Sequence, residues 1–144
     1  MTRIALIQSA DEFPEAEAEA VRADLDALFQ KMPRIPDTGK VFAVVARIPK
    51  LAHLLINVSD YMTTTLPFTT ERNDLRQLMI QAINYHYKCD YNFQAHIAPA
   101  EKHGISAAMQ AAIPYWRLSN MFNDEQKLVI EYSLAVVTGD VPQE

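Results

Sequence analysis

Apolar side chains recur at a helical period along most of this 144-residue chain, and this pattern restricts the fold more than any other feature. Apolar stripes at this spacing cover residues 21–32, 51–62 and 75–83. Prolines fall near the boundaries of the stripes, where a helix can begin or end. The pattern predicts an all-α fold, and the length suits a single domain over residues 1–144.

Several residues are predicted to begin or end helices. Pro14 suits the first turn of the helix that carries the 21–32 stripe, and Pro49 ends a short apolar helix over residues 40–48. Gly104 is a candidate left-handed helix end, and Ser106 is a candidate cap for a short helix through about residue 118. Asn123 followed by Gln126 has the spacing of a capping box that opens the last helix.

The last helix is apolar nearly all round. Between residues 126 and 137 little polar surface remains, which predicts burial on two sides. A chain of this length has few other elements to cover both sides. A contact between subunits is therefore expected.

The helix that begins after Thr69 or Thr70 has two unlike faces. One face is apolar, whereas the other carries amides, an aromatic ring and one charge. This polar row is too rich in amides for an ordinary charged surface, so it is expected to line a cavity or meet another subunit, with a solvated face as the alternative. Its members are Gln77, Gln81, Asn84, Tyr85 and Lys88.

A thiol, a carboxamide and an imidazole follow at helical spacing. Cys89, Asn92 and His96 stand at positions i, i+3 and i+7, and Phe93 extends the same stripe. On one continuous helix these side chains would face one buried groove. Pro99 is expected to kink such a helix just after His96.

Two of these residues have chemistry to offer. An imidazole has an unperturbed pKa close to neutrality, so His96 is the best candidate for proton transfer. Cys89 is expected near a helix N-terminus, where the helix dipole favours a thiolate. The structural alternatives are a hydrogen-bonded core histidine and a small buried cysteine.

The spacing of Cys89, His96, Ala100 and Gly104 resembles the signature helix of the carboxymuconolactone decarboxylase superfamily, which includes the thiol-dependent alkylhydroperoxidase D proteins. The resemblance covers about residues 31–139. It implies an alkylhydroperoxidase D-like fold of about six helices. It also implies a homo-oligomer, commonly a trimer or hexamer, with sites near the subunit contacts.

The chain departs from the family pattern at two positions. The family motif of the alkylhydroperoxidase D proteins is a glutamate followed by Cys-x-x-Cys-x-x-x-His. At the positions that resemble this motif, the present chain has Gln77, Cys89, Asn92 and His96. Because Cys89 is the only cysteine, a disulfide cycle within one chain is excluded. Decarboxylase-like members often carry a carboxylate where Asn92 stands, and an amide cannot carry a proton at neutral pH.

The resemblance and the residues together predict a cofactor-free, lyase-type enzyme that acts on a small organic acid or lactone by decarboxylation or proton transfer. His96 would serve as acid and base, Asn92 and Gln77 would hold oxygens, and Cys89, Phe93 and Tyr85 would form the wall. One alternative is a peroxide reductase that uses Cys89 and an external thiol. Another is a non-catalytic family member that acts as a binding or assembly subunit.

Composition restricts the partners. A net charge of −5 and a pI near 5.3 argue against nucleic acid and anionic membranes. One cysteine and an N-terminal apolar stretch too short for a signal peptide favour the cytoplasm. No two histidines have the i, i+4 spacing of a helical zinc site, and three glycines hardly suffice for a phosphate loop, so neither a metal nor another cofactor is expected.

Overall fold

The computed structural model describes residues 4, 6–9, 12–13, 22–24, 26, 28–30 and 40–141. These residues form helices, turns and connections without a β-strand, so the predicted all-α class is confirmed for them. In this part of the chain no helix combines the length and the apolar character needed to cross a bilayer. The chain divides into two compact units, Met1–Thr65 and Leu66–Glu144. The expectation of one domain over the whole chain stays a prediction.

The first unit contains helix α1 (Lys40–Val45) and helix α2 (Pro49–Thr64). The described residues between 22 and 30 are also helical, and Leu28 and Phe29 are buried there as their stripe predicts. Pro14 and the other apolar positions of that stripe lie outside the described residues. The buried cluster of this unit consists of Ile7, Phe13, Leu28, Phe29, Ala43, Ala46, Ala52 and Ile56.

Helix α2 does not bury the apolar stripe that its sequence suggests. Its buried residues are Pro49, Ala52 and Ile56, which lie on another side of the helix. The stripe residues are exposed because the core contacts the side that carries the smaller side chains. They are Leu51, Leu54, Leu55, Val58 and Met62.

The second unit is a series of short helices around two longer ones. Its elements are α3 (Pro67–Glu71), α4 (Asn73–His86), α5 (Asp90–Ala95), α6 (Ile97–Lys102), α7 (Ala107–Ala112), a 3₁₀ turn (Ile113–Tyr115) and α8 (Asp124–Thr138). Eight α-helices thus lie between residues 40 and 141, and the expected number of about six is not confirmed.

Helix α4 runs through the centre of this unit. Its residues Leu78 and Ala82 enter a core built from nearly every element around it, as its apolar periodicity predicts. The buried cluster consists of Leu78, Ala82, Ala100, Ile105, Ile113, Trp116, Phe122 and Ile130. Because α4 also contacts α5, α6 and α8, one helix can place residues on several sides of the unit.

The predicted caps of this unit are confirmed. The Asn123 side chain accepts from the Gln126 amide at 2.8 Å, and the Gln126 side chain accepts from the Asn123 amide at 3.1 Å. Ser106 accepts from the Met109 amide, and Gly104 has φ 86°. Local side chains therefore define where these helices begin, without help from distant contacts.

The stretch expected to form one signature helix is divided into two, α5 and α6. Helix α4 ends at His86, the chain turns through a left-handed Lys88 with φ 53°, and α5 ends before His96. Pro99 lies in the first turn of α6, where its missing amide costs no intrahelical hydrogen bond. The predicted interruption near His96 is confirmed, but the single groove built on a continuous helix is wrong.

Helix α8 is buried on one side only. Ile130 and Ser133 are buried, whereas Leu128, Tyr132 and Val136 are exposed by 64%, 59% and 49%. These three residues stand at i, i+4 and i+8, so they form one apolar stripe along the helix. Among the described residues nothing covers the second side, so the prediction of burial on two sides is not met by this part of the chain.

Arg72 joins the N-terminal ends of α4 and α8. Its guanidinium donates to both carboxylate oxygens of Glu125, at 2.5 and 2.8 Å, and to those of Asp74, at 3.2 and 3.1 Å. These hydrogen bonds raise the pKa of Arg72 and lower those of Asp74 and Glu125. The ion cluster links the two longer helices of this unit at their N-terminal ends.

Candidate functional site

The Gln77 side chain holds the ring of His96. Gln77 lies on α4 with 3% of its surface exposed, and its Oε1 is 3.0 Å from Nδ1 of His96. The Gln77 amide group points the other way, toward Asn73 Oδ1 at 3.5 Å. An amide oxygen can only accept, so Nδ1 carries the proton and Nε2 of the neutral ring keeps its lone pair.

The surroundings of His96 favour its neutral form. Desolvation in the partly buried position lowers its pKa below the ordinary value of 6.5, and the nearby positive charge of Arg76 lowers it further. Both effects favour the neutral imidazole. At neutral pH the ring therefore offers Nε2 as a proton acceptor.

Arg76 is a partly buried cation beside this ring. Desolvation lowers its pKa. Among the described residues its guanidinium has no carboxylate within 4 Å and no side-chain hydrogen bond, unlike that of Arg72 one turn earlier. A desolvated charge without a partner is unfavourable, so an anion that reached Arg76 would gain a favourable interaction.

Asn92 contacts the same helix through another amide. Its Nδ2 donates to Oδ1 of Asn84 at 2.9 Å, and the Cys89 amide donates to the carbonyl of Asn84 at 2.8 Å. Asn84 thus ties the first turn of α5 to the last turn of α4. The Cys89 side chain at this junction is exposed.

Gln81 lies on α4 between Gln77 and Asn84 and is fully buried. Its Nε2 donates to Oε1 of Gln110 at 2.6 Å and to the carbonyl of Phe93 at 3.2 Å. Gln110 in turn donates to the carbonyls of Ile97 and Ile105. Oε1 of Gln81 and Nδ2 of Asn84 are buried and have no hydrogen-bond partner among the described residues. The three amides of α4 therefore face helices of the same unit, and the solvated-face alternative is wrong for them.

The six predicted site residues do not converge on one cavity. Gln77 and His96 are in direct contact, and Asn92 and Cys89 contact Asn84 through a side chain and a backbone amide, respectively. Phe93 packs against the core cluster of the second unit. Tyr85 is exposed and lines a separate cleft on another side of α4.

Two contributors, Arg76 and Gln110, were not anticipated from the sequence as parts of this site. Arg76 adjoins Gln77 in the chain, and a cation next to a predicted inward-facing amide is the only sequence sign of its position. Gln110 is the partner of Gln81, but it lies 29 residues away and has no local sign. Among the described residues no group of three histidine, cysteine or acidic side chains is arranged to bind a metal ion.

Comparison of the chain with protein-family models, with curated proteins and with solved structures gave no match.

Proposed function

We propose that this protein is a cofactor-free enzyme that transfers a proton on a small organic acid or its lactone, with His96 as the acid and base. The observation that carries the proposal is the hydrogen bond between Gln77 Oε1 and His96 Nδ1, which leaves Nε2 as the proton acceptor. Arg76 adds specificity, since a partly buried cation without an anionic partner among the described residues suits a substrate carboxylate.

The proposed reaction begins with proton removal. Nε2 of the neutral His96 takes a proton from the carbon next to the substrate carbonyl, and the electron pair of that C–H bond forms an enolate. Arg76 balances the added negative charge. The imidazolium then returns the proton to carbon. In decarboxylation no C–H bond breaks first: the bond to the carboxylate carbon breaks, carbon dioxide leaves, and the electron pair stays behind as a carbanion. A His96 ring that has taken up a proton from water then protonates this carbanion. Gln77 keeps the ring oriented in both directions of transfer.

The wider assignment rests on the resemblance at residues 31–139. We propose a cytoplasmic homo-oligomer, a trimer or hexamer, of the carboxymuconolactone decarboxylase superfamily. The exposed stripe of Leu128, Tyr132 and Val136 supports the oligomer, because a second copy that covered α8 would supply the second buried side expected from its sequence.

Solvent exchange tests the proposed reaction on several classes of substrate at once. Small keto acids, β-keto acids and lactones are incubated with the protein in heavy water, and NMR records the replacement of C–H by C–D and the loss of carboxyl groups. We expect His96→Asn to lower the rate by about 10²–10⁴-fold, the usual contribution of a general base. His103→Asn is the matched control. Equal rates in both variants would refute the role of His96.

A second candidate function uses the exposed side chain of Cys89. Its thiolate would attack the O–O bond of a hydroperoxide, form a sulfenic acid and release the alcohol, and an external thiol would reduce the sulfenic acid. We expect rapid alkylation of Cys89 in the native protein. Cys89→Ser should abolish peroxide reduction and leave proton exchange unchanged. A protein that showed neither activity would favour the third function, that of a binding or assembly subunit.

A further inference from the structure

A cavity lies on the side of α4 that carries Tyr85 and His86. It has a volume of about 370 Å³, within the range of about 300–1,000 Å³ that small-molecule sites occupy. None of Arg76, Gln77 or His96 lines it. The lining residues are Ala82, Tyr85, His86, Lys88, Ile113, Pro114, Trp116, Arg117, Ile130 and Leu134. We call this cavity the α4–α8 cleft.

The lining of the α4–α8 cleft combines an apolar interior with two cations. Ile113, Trp116 and Ile130 are at most 7% exposed. Lys88 and Arg117 are the formally charged residues of the lining, which contains no carboxylate, although the chain has a net charge of −5. Such a lining suits a ligand with an apolar body and one anionic group.

Arg117 is held at the cleft by an aromatic ring. Its guanidinium carbon lies 4.2 Å from the centroid of the Trp116 ring. One of its nitrogens donates to Glu131 at 3.3 Å, but both side chains of that pair are more than half exposed. An exposed pair of this kind is weak, and a guanidinium has five N–H donors, so Arg117 can also bind a ligand carboxylate.

Lys88 lies at the cleft in an unusual backbone conformation. Its φ of 53° is the only positive value of a non-glycine residue among the described part of the chain. This conformation is unfavourable for a residue with a Cβ atom, and glycine or asparagine would adopt it more readily. Strained residues occur often at functional sites, so the backbone of Lys88 is a second indication of a site at the cleft.

We propose that the α4–α8 cleft binds a small organic anion, with Lys88 and Arg117 on its charged group and the side chains around Trp116 on its apolar body. The cleft is distinct from the pair formed by Gln77 and His96, so the proposal goes beyond the reaction assigned to that pair. A medium-length carboxylate has this chemistry, whereas inorganic phosphate lacks the apolar body.

Trp116 provides a direct measurement, because it is the only tryptophan in the chain and lines the cleft. Hexanoate, hexanamide and hexylamine share an apolar chain and differ in charge. We expect hexanoate to change the Trp116 emission saturably, with hexanamide binding about tenfold more weakly, the factor that corresponds to about 1.4 kcal/mol. Hexylamine should bind more weakly still. Equal affinities for hexanoate and hexanamide, or no saturable change, would overturn the proposal.

Variants show where the anion binds. Lys88→Asn removes the charge but keeps a residue that tolerates positive φ, so the fold should be retained. We expect it to weaken hexanoate binding and to leave hexanamide binding unchanged. Lys102→Asn, at an exposed position outside the cleft, is the control with the same change of charge. If Lys88→Asn bound hexanoate with the wild-type affinity, the proposal would be contradicted.

One further variant separates this cleft from the site at His96. Arg76→Gln should leave the hexanoate titration of Trp116 unchanged, although it should impair proton exchange at His96. Loss of the Trp116 response in Arg76→Gln would overturn the placement of the anion in the cleft. Failure of the exchange experiment would not affect the result of this titration.

Discussion

Gln77 and His96 lie 19 residues apart, and the amide oxygen of the first accepts a hydrogen bond from Nδ1 of the second at 3.0 Å. The contact links α4 to the junction between α5 and α6. It sets the tautomer of the imidazole, while burial and Arg76 set its charge. The position, tautomer and charge of His96 therefore each depend on a group outside the α5–α6 segment.

The two neighbours of His96 should change its pKa in the same direction when they are altered. Arg76→Gln removes a positive charge and should raise the pKa, and Gln77→Glu should raise it more because a carboxylate stabilises the imidazolium directly. NMR titration of the ring protons measures both shifts. The control Arg117→Gln removes a positive charge at the α4–α8 cleft and should leave the pKa of His96 unchanged. An unchanged pKa in Gln77→Glu would contradict the contact.

The lowered pKa of His96 predicts how stability depends on pH. The unfolded chain takes up a proton near the ordinary value of 6.5, whereas the folded ring resists protonation until lower pH. The contribution of the neutral His96 ring to the free energy of unfolding is therefore fully present above pH 6.5 and declines as the pH falls below that value. Urea unfolding between about pH 8 and pH 5 measures the decline.

The variant His96→Asn isolates that contribution from those of the other three histidines. Its free energy of unfolding should fall less steeply below pH 6.5 than that of the wild type. Parallel curves for the wild type and His96→Asn would show that His96 titrates alike in both states.

Gln81→Leu should destabilise the second unit. The substitution leaves Oε1 of Gln110 and the carbonyl of Phe93 without the donor that Gln81 provides. The Phe93 carbonyl still accepts from the His96 amide at 3.2 Å, whereas the buried Gln110 oxygen is left unpaired, which costs about 1–3 kcal/mol. Chemical denaturation measures the loss. The control Gln94→Leu changes an exposed residue and should alter the free energy of unfolding by at most about 0.5 kcal/mol.

The exposed stripe on α8 predicts self-association. Light scattering at micromolar concentration should show at least a dimer, and Leu128→Glu should shift the protein toward the monomer by burying a charge in the contact. Gln94→Glu places the same charge on an exposed polar residue of α5 and should leave the assembly intact. A stable wild-type monomer would contradict the prediction.

Local sequence determined the helices and many of their ends. The 3.6-residue period of apolar residues predicted the all-α class, and Ser106, Gly104 and Asn123 act within a few residues of the helix ends that they define. Candidate residues of the site could also be named, because an imidazole near neutrality and a single thiol have few equivalents in this chain. These inferences need no distant partner, which is why the sequence sufficed for them.

Tertiary structure alone decided which of those residues meet. The helix period placed Gln77, Gln81 and Asn84 on one face, but their burial depends on α5, α6 and α7 folding back over that face. Such contacts join residues 8 to 29 positions apart, and no local preference encodes them. Tertiary structure likewise placed Tyr85 at a cleft that His96 does not line, because Tyr85 and Gln77 lie on different sides of α4.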